Sequence, residues 1–64
     1  MKFLVDNMTC KHCVMNIERV LKAAGFKNIN IDLSSKTVEV ESKSLTLKDA
    51  KTAVESIGYH FQEL

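Results

Sequence analysis

Two amphipathic stretches, each followed by one of the chain's only two glycines, constrain the fold more than any other feature. In the first stretch, apolar residues recur at helical spacing, at Val14, Ile17, Val20, Leu21 and Ala24. In the second stretch they recur at Leu47, Ala50, Val54 and Ile57. Thr46 and Asp49 resemble a capping box at the start of the second stretch, and Gly25 and Gly58 favour the left-handed backbone that ends a helix. The sequence therefore predicts two helices, each with one buried face.

Four shorter segments show the alternation and the turn signals of β-strands. They span residues 2–7, 28–33, 37–41 and 59–63, and the middle two are typical of an antiparallel hairpin. The element order is therefore β-α-β-β-α-β, which is the ferredoxin-like plan. We expect an α+β sandwich in which a four-stranded antiparallel sheet carries two helices on one face. We expect residues 1–64 to form a single domain.

Length and composition narrow the classes of function. A domain of this size buries only about 60% of its unfolded surface, so it has no room for a deep substrate cavity, and we expect a carrier rather than an enzyme. The formal net charge is +1 and no basic run is interleaved with aromatic residues, so nucleic acid is a poor candidate partner. The longest early apolar run, residues 3–5, is too short for a signal-peptide core or a membrane span. The sequence begins at Met1, and we expect a complete, cytoplasmic protein.

The only two cysteines, Cys10 and Cys13, carry the most distinctive chemistry of the chain. In a reducing cytosol, a single Cys-x-x-Cys pair is more often metal-binding or redox-active than a structural disulfide. With Thr9 as the predicted N-cap, Cys13 falls in the first helical turn and Cys10 on the loop before it. The helix N-terminus and the charge of Lys11 are expected to lower the pKa values of both thiols. Both sulfurs can then point at one atom, and two soft anionic ligands suit Cu(I) above all.

Other chemistries stay open for the same pair. Structural zinc prefers four ligands, and the only histidines are His12, inside the motif, and His60, so the zinc-finger spacing is not met. A Zn(II) site here would be incomplete, but carriage of Zn(II), Cd(II) or Hg(II) on the same scaffold is an alternative. A thiol–disulfide oxidoreductase is less favoured, because the chain has no proline and therefore lacks the cis-proline loop of thioredoxin-type sites.

Residues 8–13, Met-Thr-Cys-Lys-His-Cys, resemble the Met-x-Cys-x-x-Cys motif of the heavy-metal-associated domain family. That family includes small copper chaperones and the N-terminal domains of copper-transporting P-type ATPases. The resemblance implies a ferredoxin-like fold, Cu(I) bound by Cys10 and Cys13, and transfer by ligand exchange to a similar domain on a transporter. It also implies that Met8 packs beneath the loop and that Tyr59 lies near the metal.

Two departures from the family pattern bear on the site. Asn7 occupies a position where the family usually has glycine, and asparagine also tolerates the positive φ of that turn. His60 follows Tyr59 directly. Because some members of the family place a histidine in this loop as a further metal ligand, His60 is a candidate additional ligand. The exposed motif would also let two chains share copper ions, so we expect a monomer or a metal-bridged dimer.

Overall fold

Six elements make up residues 1–64, all of which the computed structural model describes. The elements are β1 (Lys2–Val5), α1 (Lys11–Ala24), β2 (Lys27–Asp32), β3 (Thr37–Glu41), α2 (Leu47–Glu55) and β4 (Phe61–Glu63). The strands are ordered β2-β3-β1-β4 in one sheet, and every neighbouring pair is antiparallel. The helices pack against each other, and α1 also contacts β2 while α2 contacts β4. The predicted α+β ferredoxin-like sandwich is confirmed.

The core contains only apolar side chains and lies between the helices and the two central strands. Its members are Phe3, Val5, Met8, Ile17, Leu21, Phe26, Val38, Val40, Ala50, Ala53 and Val54. Strands β1 and β3 each contribute alternate residues, because successive side chains of a strand point to opposite faces. The pattern does not predict Phe26, which lies outside both periodic stretches. The predicted inward position of Ile57 is wrong: Ile57 follows the end of α2, where helical spacing no longer sets its direction, and is 42% exposed.

Both helices begin and end close to the predicted residues, and neither has the length and apolar character needed to cross a membrane. The prediction of Thr9 as the N-cap of α1 is wrong. Cys10 holds that position with an extended backbone (φ −152°, ψ 172°), and the Val14 N–H donates to its carbonyl at 3.2 Å. Gly25 ends α1 with φ 110°, as predicted, and its N–H donates to the Lys22 carbonyl at 3.1 Å. The helix therefore starts at the first cysteine itself.

Three connections meet at one end of the sheet, which we call the loop end. They are residues 6–10 between β1 and α1, residues 33–36 between β2 and β3, and residues 56–60 between α2 and β4. They meet because the last residues of β1 pair with the first residues of β3 and β4. The predicted strands 2–7 and 59–63 are too long, since β1 stops at residue 5 and β4 starts at residue 61. The residues trimmed from these strands lie in the loops around the cysteines.

Candidate metal centre

The two cysteines lie side by side at the loop end. Their Sγ atoms are 3.4 Å apart, well beyond the roughly 2.05 Å of a disulfide bond, so both thiols are free. Cys10 is exposed and Cys13 is half-buried. The geometry follows from the sequence, because Cys10 caps α1 and Cys13 lies in its first turn. The result is a pair of soft donor atoms that face each other and remain open to solvent on one side.

The pKa of Cys13 is lowered from an ordinary 9.0 to about 6. The largest cause is a hydrogen bond from the Tyr59 hydroxyl, followed by backbone hydrogen bonding at Thr9 and by the Cys10 side chain. These contacts favour the charged form because they stabilise a thiolate more than a thiol. The sequence predicts the direction of this pKa shift from the helix N-terminus and from Lys11. Backbone hydrogen bonds at the helix start are among the causes, but the charge of Lys11 is not, and the sequence does not predict the larger contribution of Tyr59. At neutral pH, Cys13 is therefore expected to be largely a thiolate.

Tyr59 lies partly buried beside Cys13 and packs against the hydrophobic core. Its own pKa is raised, mainly by the same hydrogen bond to Cys13 and then by burial. The cause is reciprocal, since a tyrosinate beside a thiolate would place two negative charges together. Tyr59 is therefore expected to keep its proton at a pH where Cys13 has lost its own. The resemblance to the family implies a place for Tyr59 near the site, and the structure puts it there.

Met8 contributes to the core and not to the surface of the site. Its side chain has no exposed area, and its N–H donates to the Val5 carbonyl at 3.3 Å. Methionine suits this place because its unbranched thioether fills irregular gaps. Met8 therefore packs beneath the loop, as the resemblance to the family implies.

The two histidines do not join the cysteines. His60 Nδ1 lies 3.2 Å from Asp6 Oδ1, its side chain is 71% exposed, and this contact is an ion pair only when the imidazole is protonated. No group of three or more histidine, cysteine, aspartate or glutamate side chains is placed to hold a metal ion. His12 is exposed on α1. The structure brings Cys10 and Cys13 together without His60, whose role as an additional ligand stays a prediction.

Asn7 joins the loop of the motif to the loop that carries Tyr59. Its Nδ2 donates to the Gly58 carbonyl at 3.2 Å, and its Oδ1 accepts from the His60 N–H at 2.8 Å. The expected positive φ at Asn7 is wrong: the positive-φ residues other than glycine are Asn28 and Lys36. The side chain of Asn7, and not an unusual backbone conformation, holds the turn. Sequence reasoning notes Asn7 only as a departure from glycine and misses these contacts.

The ferredoxin-like fold and an exposed dithiol together define a small metal-binding domain. The model of the heavy-metal-associated domain family matches residues 2–60, so this chain belongs to that family.

Individual relatives share the sequence or the fold. The chain is 38% identical over 61 residues to a copper-exporting P-type ATPase of Bacillus subtilis, a match that covers 91% of this chain and 8% of that protein. It is 25% identical to the copper chaperone Atx1 of Synechocystis, with a TM-score of 0.87 and coverage of 97% and 98%. It is 27% identical to a gold binding protein, also with a TM-score of 0.87 and coverage of 100% and 98%. The chain thus spans a small part of the ATPase and nearly the whole of the two solved proteins.

Proposed function

We propose that this chain is a cytoplasmic metallochaperone that carries one Cu(I) between Cys10 and Cys13 and passes it to a copper-transporting P-type ATPase. The observation that carries the proposal is the pair of free sulfurs 3.4 Å apart at the start of α1, where Cys10 is exposed and Cys13 is half-buried. Thiolates are the ligands that Cu(I) prefers, and this ion accepts low coordination numbers. The lowered pKa of Cys13 supports the proposal, because only the thiolate binds metal well.

Transfer by ligand exchange depends on how open the site is. Cys10 is exposed, so a thiolate of a partner can reach the carried ion before either sulfur of this chain leaves it. Such an associative exchange avoids releasing the free ion into water. Similarity to a copper-exporting P-type ATPase and to a copper chaperone favours a dithiol domain of a transporter as the partner. A carrier of this kind catalyses no reaction of its own.

The binding step can be tested by Cu(I) competition against a chromophoric chelator in anaerobic, reducing buffer. We expect one Cu(I) per chain, and we expect Cys10→Ser and Cys13→Ser each to lose tight binding because one sulfur alone cannot hold the ion. His12→Ala is the control, since His12 is exposed and lies next to Cys13 on the same helix. Retention of wild-type affinity by either serine variant would refute the proposed ligands.

The transfer step needs a kinetic test. Cu(I) should move to a partner domain with its own Cys-x-x-Cys pair faster than to a small chelator of equal affinity, because a thiolate of the docked partner can attack the ion from the side of the exposed Cys10. Equal rates would argue against directed transfer and leave storage of copper as the function.

A second candidate is carriage of another thiolate-binding ion, such as Zn(II), Cd(II) or Hg(II). Similarity to a gold binding protein favours it, since that protein has nearly the same fold and binds a soft metal other than copper. Zn(II) prefers four ligands, so His60 would matter more for Zn(II) than for Cu(I). Titration with Zn(II) of His60→Ala against the His12→Ala control separates the two candidates: strong Zn(II) binding that needs His60, with weak Cu(I) binding, would favour the second.

A further inference from the structure

Two loops at the loop end are held together by one side chain. Asn7 uses both ends of its carboxamide, and its two partners are the peptide groups on either side of Tyr59. Asn7 is separated from Gly58 and His60 by more than fifty positions in the sequence, so these hydrogen bonds join distant parts of the chain. A carboxamide can do this because it is both a donor and an acceptor.

We infer that Asn7 is a positioning residue for Tyr59, since it fixes the backbone on both sides of Tyr59 and so keeps that side chain beside Cys13. The inference rests on the proposed function only in that Cys13 is taken as a ligand of the carried ion. The placement of Tyr59 by Asn7 is a property of the metal-free chain.

Little else holds the backbone around Tyr59. Strand β4 begins at Phe61, so neither Tyr59 nor His60 belongs to the sheet. Gly58 has φ 91°, a conformation that side chains resist, and no atom lies within 4 Å of where its Cβ would be. The other backbone hydrogen bonds of this loop run to the end of α2: the Gly58 N–H donates to the Glu55 carbonyl and the Tyr59 N–H to the Val54 carbonyl, both at 3.1 Å. Without Asn7, the backbone on either side of Tyr59 is bonded only to the end of α2 and not to the loop that carries Cys10.

A second contact between the same loops acts on side chains and not on the backbone of Tyr59. His60 Nδ1 lies 3.2 Å from Asp6 Oδ1, and the Gln62 amide donates to Asp6 Oδ2 at 3.1 Å. The histidine carries charge only when protonated, and the contact joins the side chains of Asp6 and His60 and not their backbones. Asp6 therefore cannot replace Asn7 as the group that fixes the peptide carbonyl of Gly58 and the peptide N–H of His60.

The chain offers a direct spectroscopic probe of this inference. Tyr59 is its only tyrosine and it has no tryptophan, so intrinsic fluorescence reports this residue alone. In the reduced, metal-free protein, Asn7→Ala is expected to make the Tyr59 side chain more accessible to acrylamide, which quenches its fluorescence. It is also expected to speed amide exchange at His60 about tenfold, the equivalent of about 1.4 kcal/mol for a lost hydrogen bond. Asn7→Asp keeps the acceptor but not the donor, so it should give an intermediate result.

Asn28→Gly is the matched control, because glycine removes the side chain without straining the positive φ (51°) of that residue. Asn28 also donates through its side chain, to Glu41 at 2.6 Å, but at the opposite end of the sheet, so its loss should leave Tyr59 unchanged. Unchanged quenching and unchanged His60 exchange in Asn7→Ala, with the fold intact by circular dichroism, would overturn the inference. A role in general stability only would make Asn7→Ala and Asn28→Gly behave alike, which would also overturn it.

Copper binding gives an independent readout. If Asn7 acts through Tyr59, Asn7→Ala should speed Cu(I) release in the wild-type background and have no further effect in Tyr59→Phe. An equal effect in both backgrounds would overturn the inference. Failure of Cu(I) binding in the wild type would refute the proposed function, whereas the metal-free fluorescence and exchange results would still decide the role of Asn7.

Discussion

Replacing Met8 tests whether its sulfur packs in the core or binds metal. Met8 has no exposed area, and burial of a methionine side chain contributes roughly 1.5–3 kcal/mol. Truncation also leaves a cavity, so Met8→Ala is expected to cost about 2–5 kcal/mol of unfolding free energy. At about 0.05–0.15 kcal/mol per residue, a domain of this length has a total stability of roughly 3–10 kcal/mol. Met8→Ala should therefore remove a large part of the stability of the whole domain.

Met8→Leu separates packing from ligation because leucine has a similar volume and no sulfur. A volume-conserving exchange of this kind usually costs less than about 1.5 kcal/mol. Urea unfolding of the reduced, metal-free protein measures both variants. With a slope of about 1 kcal/mol per molar urea for a small domain, the midpoint should fall by about 2 M or more for Met8→Ala and by about 1.5 M or less for Met8→Leu.

Cu(I) affinity then decides the role of the sulfur. If Met8 only packs, Met8→Leu should bind Cu(I) within about threefold of wild type, a difference of roughly 0.7 kcal/mol. A loss of about tenfold or more in a variant of nearly wild-type stability would refute packing as the sole role of Met8. An Met8→Ala protein that unfolds within about 0.5 kcal/mol of wild type would refute the burial argument itself.

Three further predictions concern the Cys13–Tyr59 pair and the two glycines. Tyr59→Phe removes the largest cause of the low pKa of Cys13, so thiolate absorbance should appear at higher pH; an unchanged midpoint would contradict the assigned cause. The Cys13 thiol loses its proton at a lower pH in the folded protein than in the unfolded chain. The unfolding free energy of the reduced protein should therefore rise as the pH increases from about 6 to 9.0, and it should rise less in Tyr59→Phe. Gly25→Ala should destabilise more than Gly58→Ala in urea unfolding. Both positions have positive φ, which costs roughly 1–2 kcal/mol for alanine, but a Cβ at Gly25 meets Leu45 Cδ1 at 3.3 Å and one at Gly58 meets nothing within 4 Å. Equal losses would show that backbone strain alone sets the cost.

The sequence predicts the elements better than their ends. Apolar periodicity identifies both helices and the hairpin, because burial of one face dominates their stability. Ile57 continues the apolar stripe of α2 in sequence, but the chain has already left the helix at that residue. Thr9 is a better N-cap by side-chain preference, yet Cys10 holds the position without a side-chain cap. The preference of a side chain for the N-cap position is too weak to fix the start of a helix to within one residue.

The sequence likewise predicts some features of the candidate site and not others. The pairing of Cys10 and Cys13 follows from a spacing of three residues across a helix start, so the sequence alone predicts it. The contacts of Asn7 with the loop of Tyr59 join residues 51 and 53 positions apart, and no local pattern contains them. The low pKa of Cys13 depends on the same long-range approach, through Tyr59.

A small domain that exposes two reactive sulfurs must keep their loop ordered without burying it. Here three groups other than the thiols fix the loop. Met8 lies in the core, the Asn7 side chain is hydrogen-bonded to the neighbouring loop, and the carbonyl of Cys10 accepts a hydrogen bond from the first turn of α1. Order therefore comes from a buried thioether, a carboxamide and a helix terminus, none of which occupies the open side of the dithiol. Because these attachments do not depend on the sulfurs, we expect the loop to stay ordered during the proposed transfer of an ion to an incoming ligand.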